Sequence, residues 1–400
     1  RIEKFYFDNG FIDAFIDTST RINSEENEIS VSFMISGNSP YLIYKVNYTG
    51  LENMSEDLRA NLFKSDDIEI FTGDRYTKSA VSAEAGRVLR FLQNNGYAFT
   101  NMDPPEIVKF ESNNPELDYR LEINLKYQTG SRYRFGATVI EIDNKKYNID
   151  LDDILYELEY KENDIYSKEV LVQSENRLNR IAILENARIV LTEIDTVKNH
   201  IDFKIVGSIR NKYEIQPELL AYYISNSMFG GIGLTFSDKY FIKAPRTFSV
   251  KARALANSLE NYRLELILEI FQPHIFNNNK ITGSNNLSTA IFSIDDFRIE
   301  EIKNKATINY ELPKYTYLNN LTMDWNLKNQ RVTFKFPLIG YDENTTIPSG
   351  AFVNIFSSIL GLTLVHSRID NFQFPTRGIY QSFLVEESGL LGTAISKLFD

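Results

Sequence analysis

The sequence lacks cysteine altogether and has only three histidines and one tryptophan in 400 residues. Without cysteine it forms no disulfide and has neither a thiolate nucleophile nor a cysteine-ligated zinc site. The histidines, His200, His274 and His366, lie far apart in the sequence and predict neither a histidine metal site nor a catalytic triad. No run of 18 or more apolar residues occurs, so the sequence predicts no transmembrane helix. Any crossing of a membrane would have to use a closed β-barrel.

Motifs that could suggest catalysis are equally weak. No helix is predicted after the glycine-rich residues 229–233, so we do not expect their amides to bind a phosphate. Asp152 and Asp153 lie where the start of a helix favours negative charge, and Glu386 and Glu387 are strand neighbours that point to opposite faces. The hydrolase motif Gly-x-Ser-x-Gly is absent. We therefore predict no enzyme, no catalytic or metal-binding residues and no cofactor.

Aromatic side chains are abundant, with 28 Phe and 23 Tyr. Such usage favours β-strands, because flat side chains pack well on a pleated sheet, and it is typical of membrane barrels with aromatic girdles. With 43% apolar and 24% charged residues the chain can bury cores, and its length allows about two to four domains. The net charge of −11 argues against a nucleic-acid partner, whose phosphates require a basic surface.

The first half contains an internal repeat with a constant offset of 90 residues. In both copies a Thr or Ser that can cap a helix precedes an apolar stripe with helical spacing. The recurring pairs are Asp74/Asp164, Tyr76/Tyr166, Lys78/Lys168, Arg87/Arg177 and Arg90/Arg180. A third, partial copy begins the chain, because Asn9-Gly10-Phe11 repeats the pattern of Asn95-Gly96-Tyr97.

Each copy reads as strand, helix, helix, strand, strand. Its closing strand alternates apolar residues such as Leu121, Ile123 and Leu125 with polar ones, as in a sheet with one covered face. We place the modules at residues 39–128 and 129–207, a partial copy at 1–38, and a different domain at 208–400. Exposed sheet edges in such modules could bind an extended peptide as an added strand.

From about Ile209 onward, short alternating runs replace the helical pattern, and we count about eight strands. In a membrane barrel one strand face meets lipid and the other lines a polar lumen, which requires this alternation; a soluble β-sandwich would satisfy it too. In a barrel we expect the following side chains to face lipid: Leu264, Leu266, Leu268, Val332, Phe334 and Phe336. We expect four charged side chains to face inward: Arg263, Glu265, Arg331 and Lys335.

Five short segments follow one another in a defined order. They are residues 41–50, 73–76, 95–98, 269–273 and 374–380, the last followed by residues 383–389. In this order they resemble the BamA/TamA superfamily of outer-membrane assembly proteins, over essentially the whole chain. Residues 5–11 are similar to the TamA-like lipoprotein (TamL) branch.

The resemblance implies POTRA domains, small periplasmic modules of the kind described above, followed by a sixteen-stranded barrel. The predicted fold class is therefore α+β POTRA repeats followed by an antiparallel transmembrane β-barrel, partial and about half of the family's strands. Two features depart from the family. The Arg-Gly-Phe/Tyr motif of its long lumen-facing loop is absent, and the chain ends at Asp400 without a closing strand. We expect the sequence to be part of a longer protein.

The resemblance also implies a function in the bacterial outer membrane, with the POTRA domains in the periplasm. The protein would receive unfolded outer-membrane proteins and template their insertion at the barrel seam. Further implied partners are outer-membrane lipid and periplasmic or lipoprotein subunits. The seam strand is expected at about residues 214–225. Its expected substrate-docking residues are Leu219, Leu220, Ala221, Tyr222, Tyr223 and Ile224.

Two other functions fit the same sequence. A secretion pore of the two-partner type would use similar domains to export one dedicated substrate. A soluble periplasmic β-rich binding protein would use the alternating half as a sandwich, and its purification would not depend on detergent.

Overall fold

The computed structural model describes residues 1–23, 28–37, 39–64, 68–110, 118–143, 146–147, 149–224, 227–275, 278–294, 296–313, 316–339, 346–369, 373–376 and 378–389. These residues form two compact units. One comprises residues 1–139, 159–174 and 190–204, and the other comprises residues 140–158, 175–189 and 205–400. The chain end at residues 398–400, predicted to lack a closing strand, lies outside the described residues. None of the described helices is long and apolar enough to span a membrane.

The chain begins with a helix and a two-stranded hairpin. Helix α1 (Ile2–Asp8) precedes the antiparallel strands β1 (Phe15–Asn23) and β2 (Glu28–Ser36). Helix, strand, strand is the order of the last three elements of the predicted module. The boundary of this partial copy near residue 38 stays a prediction.

The first complete module contains a small mixed sheet. Its strands are β3 (Leu42–Thr49), β4 (Asn101–Met102), β5 (Glu106–Lys109) and β6 (Arg120–Gln128). β6 lies in the centre, parallel to β3 on one side and antiparallel to β4 and β5 on the other. As the alternation predicted, Leu121, Ile123 and Leu125 are buried, in one core with helices α2 (Glu56–Lys64) and α3 (Lys78–Asn94).

Helix α3 forms where the sequence supplies both a cap and an apolar stripe. The Thr77 hydroxyl accepts a hydrogen bond from the backbone N–H of Ala80 at 3.2 Å, which satisfies an amide left free by the first helical turn. The side chains that face the core recur every three or four residues: Val81, Ala85, Val88 and Leu92.

The core of this module encloses a charged pair. Glu84 is fully buried on α3, and its two carboxylate oxygens accept from Arg87 at 2.7 and 2.8 Å. Arg87 also donates to the Leu62 carbonyl at 3.0 Å, and the Tyr48 hydroxyl donates to Glu84 at 2.8 Å. Burial opposes ionisation of Glu84, but hydrogen bonds from Arg87, the Glu69 backbone and Tyr48 outweigh it and hold the pKa of Glu84 below its usual range.

The second module repeats the same order of elements. They are β7 (Arg134–Glu141), α4 (Asp152–Leu155), α5 (Lys168–Leu178), β8 (Leu184–Asp195) and β9 (His200–Ile209). The sheet order is β7-β9-β8, so the last strand again lies between the other two, as in the first module. The equal strand order is what an internal duplication predicts.

The recurring Asn-Gly pairs have the same contact in both positions. The Gly10 carbonyl accepts the backbone N–H of Tyr41 at 2.8 Å, and the Gly96 carbonyl accepts that of Tyr133 at 2.8 Å. Each contact joins the end of a helix to the first strand of the next module. The repeated motif therefore marks a repeated link between consecutive modules.

The second half forms a nine-stranded antiparallel sheet, one strand more than the sequence count. Its strands are β10 (Tyr213–Ile224), β11 (Ser227–Asp238), β12 (Thr247–Ala256), β13 (Tyr262–Gln272), β14 (Ile281–Ile294), β15 (Phe297–Glu311), β16 (Asn320–Phe334), β19 (Phe352–Ile369) and β20 (Gly378–Ser388). The short hairpin of β17 (Leu338–Ile339) and β18 (Thr346–Ile347) lies between β16 and β19 in sequence. In the motif segment of residues 374–380 from the sequence analysis, β20 begins at Gly378, and Arg377 lies outside the described residues. The predicted order of α+β modules followed by an antiparallel sheet is confirmed.

Strand pairing gives the large sheet an apolar and a polar face. Leu266 pairs with Ala252 and Thr289, and the same face continues to Leu234 and Pro217. Exposed side chains of this apolar face include Leu219, Ile232, Leu234, Leu264 and Leu266. The polar face carries Glu218, Lys251, Arg253, Arg263, Glu265 and Glu269. The predicted sides of Leu264, Leu266, Leu268, Arg263 and Glu265 agree with these pairings.

The prediction for β16 is wrong. Following the pairings from β13 to β16 puts Arg331 on the apolar face, and Val332 and Phe334 on the polar face. In β16 the apolar residues occupy odd-numbered positions up to Leu327 but even-numbered positions from Val332 onward. Because the pairing with β15 contains no bulge, the apolar residues change from one face of the sheet to the other at this point. Two further predicted positions lie beyond the end of β16: Lys335 and Phe336.

We predict that Glu84→Gln destabilises the first module by about 3–5 kcal/mol, because it leaves the Arg87 charge buried without a counter-charge. Since folding lowers the pKa of Glu84, the contribution of Glu84 is present at neutral pH and is lost as pH falls through that lowered value. Amide hydrogen exchange of α3 would measure both effects. Glu56→Gln, on the exposed start of α2, is the control and should change stability by less than about 0.5 kcal/mol. Equal exchange in both variants would contradict the prediction.

Candidate functional site

Strand β10 carries all six predicted docking residues and forms one edge of the large sheet. Leu219, Leu220, Ala221, Tyr222, Tyr223 and Ile224 lie on it consecutively. Among the described residues β10 pairs with β11 alone. Leu219 and Tyr223 share the apolar face and are 91% and 73% exposed. That these residues dock a substrate stays a prediction.

Pro217 indicates which amides of β10 point to the open edge. A proline has no N–H, so its nitrogen in a paired strand faces away from the partner strand. Pro217 lies opposite Leu234 of β11, and the N–H direction alternates along a strand. Odd-numbered residues therefore direct their amides to the open edge, and even-numbered residues direct theirs to β11. Within the predicted segment the open-edge donors are Leu219, Ala221 and Tyr223.

An ion network on the polar face holds β10 in register. The Glu218 carboxylate accepts from Arg253 at 3.0 and 3.1 Å, although Arg253 belongs to β12 and not to the adjacent strand. Gly233 of β11 lies between them and leaves the space open, since a Cβ there would come within 3.2 Å of Arg253 and 3.3 Å of Glu218. Thr235 donates to Glu218 at 2.9 Å, and Arg253 lies 3.9 Å from Glu265 of β13. The network therefore spans four strands.

Two connections at one end of the large sheet bind acidic residues from the second module. Tyr240, between β11 and β12, donates to the Asp153 carboxylate at 2.9 Å and accepts the Asp150 backbone N–H at 3.1 Å. Burial raises the pKa of Tyr240 to about 12, so the phenol remains a donor. His274, between β13 and β14, lies 2.8 Å from the buried Glu157 carboxylate.

A third connection at the same end binds two arginines. Glu311, at the end of β15, accepts from Arg177 and from Arg180, each at 2.7 Å through a different oxygen. Arg177 also donates to the Asn279 carbonyl between β13 and β14. The three connections thus hold Asp153, Glu157, Arg177 and Arg180 at one end of the sheet.

Sequence reasoning found the repeated arginines but missed their change of partner. Arg87 is paired with Glu84 inside its own helix, whereas Arg177 is paired with Glu311. The position 90 residues after Glu84 is Ser174, which is buried and donates to the Val170 carbonyl at 2.8 Å. The sequence indicates this difference, because the arginine recurs 90 residues later and its acidic partner does not.

The histidines are not brought together. His200 lies 2.8 Å from Asn163, His274 binds Glu157, and His366 binds the Tyr317 carbonyl and stacks on the Tyr317 ring at 3.8 Å. Within the described ranges, no group of three or more His, Asp or Glu side chains is placed to hold a metal ion.

The chain is similar to several solved structures. No protein-family model matches it, and no curated protein sequence matches it. BamA from Haemophilus ducreyi lacking POTRA domains 1–3 matches 87% of this chain and 64% of its own, with 13% identity and a TM-score of 0.48. CdiB from Acinetobacter baumannii matches 88% of this chain and 63% of its own, with 11% identity and a TM-score of 0.45.

POTRA domains 3–5 of Haemophilus influenzae BamA match 52% of this chain and 77% of their own, with 17% identity and a TM-score of 0.34. The chain thus spans less than two thirds of the BamA and CdiB structures.

Proposed function

We propose that this chain is a BamA/TamA-like outer-membrane assembly factor. Its α+β modules are POTRA domains in the periplasm that receive unfolded outer-membrane proteins, and its large sheet is part of a transmembrane barrel. The observation that carries the proposal is the exposed apolar face of the large sheet beside β10, which pairs with β11 alone among the described residues. An incoming strand pairs with that edge and so enters the membrane with its backbone groups already bonded.

The two faces of the large sheet support the membrane assignment. Leu219, Ile232 and Leu266 are exposed on one face, and exposing such a row of apolar side chains to water would be unfavourable. The opposite face pairs its charges across strands, for example Lys251 with Glu269 at 2.6 Å. Lipid on the first face and an aqueous lumen behind the second would satisfy both.

The open edge supports the templating step. A sheet edge presents unpaired N–H and C=O groups that bind an extended chain irrespective of its side chains. In the membrane this binding is strongly favoured, because lipid offers an incoming strand no other hydrogen-bond partner. Backbone recognition suits a factor that must handle many different barrel proteins.

The remaining partners of the proposal follow from the surfaces of the chain. Outer-membrane lipid covers the apolar face of the large sheet. Unfolded substrate first meets the edge strands of the modules, β5 in the first and β8 in the second, each of which pairs with one described strand. Periplasmic or lipoprotein subunits bind the modules in this scheme.

Spin labels test the membrane face, and the cysteine-free sequence makes single labelling sites easy to introduce. A label at Leu266→Cys should be relaxed by oxygen, which concentrates in lipid, and not by a water-soluble nickel chelate. A label at Lys303→Cys on the polar face should show the reverse. Arg substituted at Leu266 should cost about 2–4 kcal/mol of barrel stability. A Leu266 label that the chelate reaches would exclude the lipid assignment.

Proline substitutions in β10 test whether a substrate strand pairs with its edge, because their effect differs between odd-numbered and even-numbered positions. Proline at Leu219 or Ala221 removes an open-edge donor and leaves the β10–β11 bonds intact, so assembly should fall while the protein stays folded. Proline at Leu220 or Tyr222 removes a bond to β11 and should lower stability as well. Alanine at the same positions is the matched control and should preserve assembly. Normal assembly with proline at both odd positions would contradict templating by β10.

Depletion separates assembly from dedicated secretion. Depleting the protein should lower the amount of several folded outer-membrane barrels, measured by quantitative proteomics of outer-membrane fractions. Loss of one secreted protein with normal barrel levels would instead identify a two-partner-type secretion pore.

A further inference from the structure

The connection between β11 and β12 contains a strained and exposed segment. Ile242 and Lys243 have φ values of 52° and 51°, in the left-handed region that branched side chains rarely occupy. Ile242 is nevertheless 69% exposed, so packing within the described chain does little to compensate for the strain. Strain at an exposed apolar residue points to a contact outside the chain.

This segment continues the apolar face of the large sheet. The Phe241 ring stacks on the Phe248 ring, with centroids 4.7 Å apart. Phe248 lies on the apolar face, four residues along β12 from Ala252, and is paired with Ile270. Phe241 therefore holds the connection against the end of the face that meets lipid in the proposed function, with Ile242 next to it.

The segment also has an excess of positive charge. Two nearby lysines are neutralised, Lys212 by Asp238 at 3.6 Å and Lys239 by Glu214 at 2.6 Å. The carboxylate of Asp153 accepts a hydrogen bond from Tyr240 at 2.9 Å. Lys243 is exposed and Arg246 is partly exposed, and neither forms an ion pair with any residue that the structure describes.

We propose that the connection formed by residues 241–246 anchors the sheet to anionic phospholipid headgroups, with Ile242 inserted among the acyl chains and Lys243 and Arg246 at the phosphates. Apolar and aromatic side chains next to basic residues are the combination found where a membrane protein meets the lipid–water interface. The proposal rests on the proposed membrane function. The anchor lies one strand from β10 and would fix the depth of the open edge in the bilayer.

An environment-sensitive fluorophore at Ala244→Cys tests the anchor in the full chain reconstituted in nanodiscs. Its emission should shift to the blue as phosphatidylglycerol replaces phosphatidylcholine, because the segment then inserts. Labels at Leu259→Cys, in the turn at the opposite end of β12, and at Val197→Cys, in a module turn, are controls that should not respond. Excess inorganic phosphate should leave the shift unchanged; loss of the shift would indicate a free-phosphate site and overturn the lipid assignment.

Two sets of variants separate a lipid anchor from a merely structural turn. Lys243→Gln with Arg246→Gln should lower the equilibrium constant for insertion, measured at one fixed phosphatidylglycerol fraction, by about fivefold for each charge removed. Lys198→Gln is the charge-matched control and should have no effect. Ile242→Gly relieves the backbone strain, so it should abolish insertion while the unfolding temperature is unchanged or higher.

Three outcomes would overturn the proposal: no dependence on phosphatidylglycerol at position 244, no effect of the charge variants, or a lower unfolding temperature of Ile242→Gly with an unchanged shift. A label at Leu266→Cys in the same nanodiscs distinguishes the two proposals. If that label reports lipid and the label at Ala244 does not, the anchor alone fails. If both report water, the membrane function fails as well.

Discussion

The large sheet depends on one requirement: each backbone N–H and C=O group must have a hydrogen-bond partner. Interior strands such as β13 meet it on both sides, through β12 and β14. Strand β10 meets it on one side among the described residues. Strand β20, at the other edge, likewise pairs with β19 alone among the described residues, so this difference distinguishes both edge strands from the interior ones; the proposed function assigns the binding of a further strand to β10. In lipid the requirement becomes strict, since no water is present to satisfy an open edge.

Much of the architecture could be predicted because it depends on local patterns. The offset of 90 residues located two modules with equal strand order, and the alternation located the large sheet. Alternation also predicted which side chains of β13 share a face, because the leucines from Leu264 to Leu268 all occupy even-numbered positions. In β16 the phase changes after Leu327, and only pairing with β15 shows which residues share a face. Alternation within one strand carries no information about the register between strands.

Side-chain partners distant in sequence were beyond prediction for the same reason. The family resemblance assigned residues 219–224 to the seam strand, but the bond between Glu218 and Arg253 crosses an intervening strand and depends on Gly233. Arg177 shows the same limit in a repeat. A duplicated residue keeps its position in the helix, while its partner is set by the surface beside it, here Glu311 in place of an acid within the helix. Duplication therefore predicts folds better than it predicts contacts.

An edge strand that must bind a partner faces two opposing demands. It must keep its backbone groups available, yet a strand bonded on one side alone opens more readily than one bonded on both. The Glu218–Arg253 pair meets the second demand with side chains on the polar face, so it uses none of the amides that point to the open edge. Pro217 interrupts the row of amides on that edge between Ile215 and Leu219. In the proposed function, the strand from Leu219 onward is therefore a short template, held in register from its polar face.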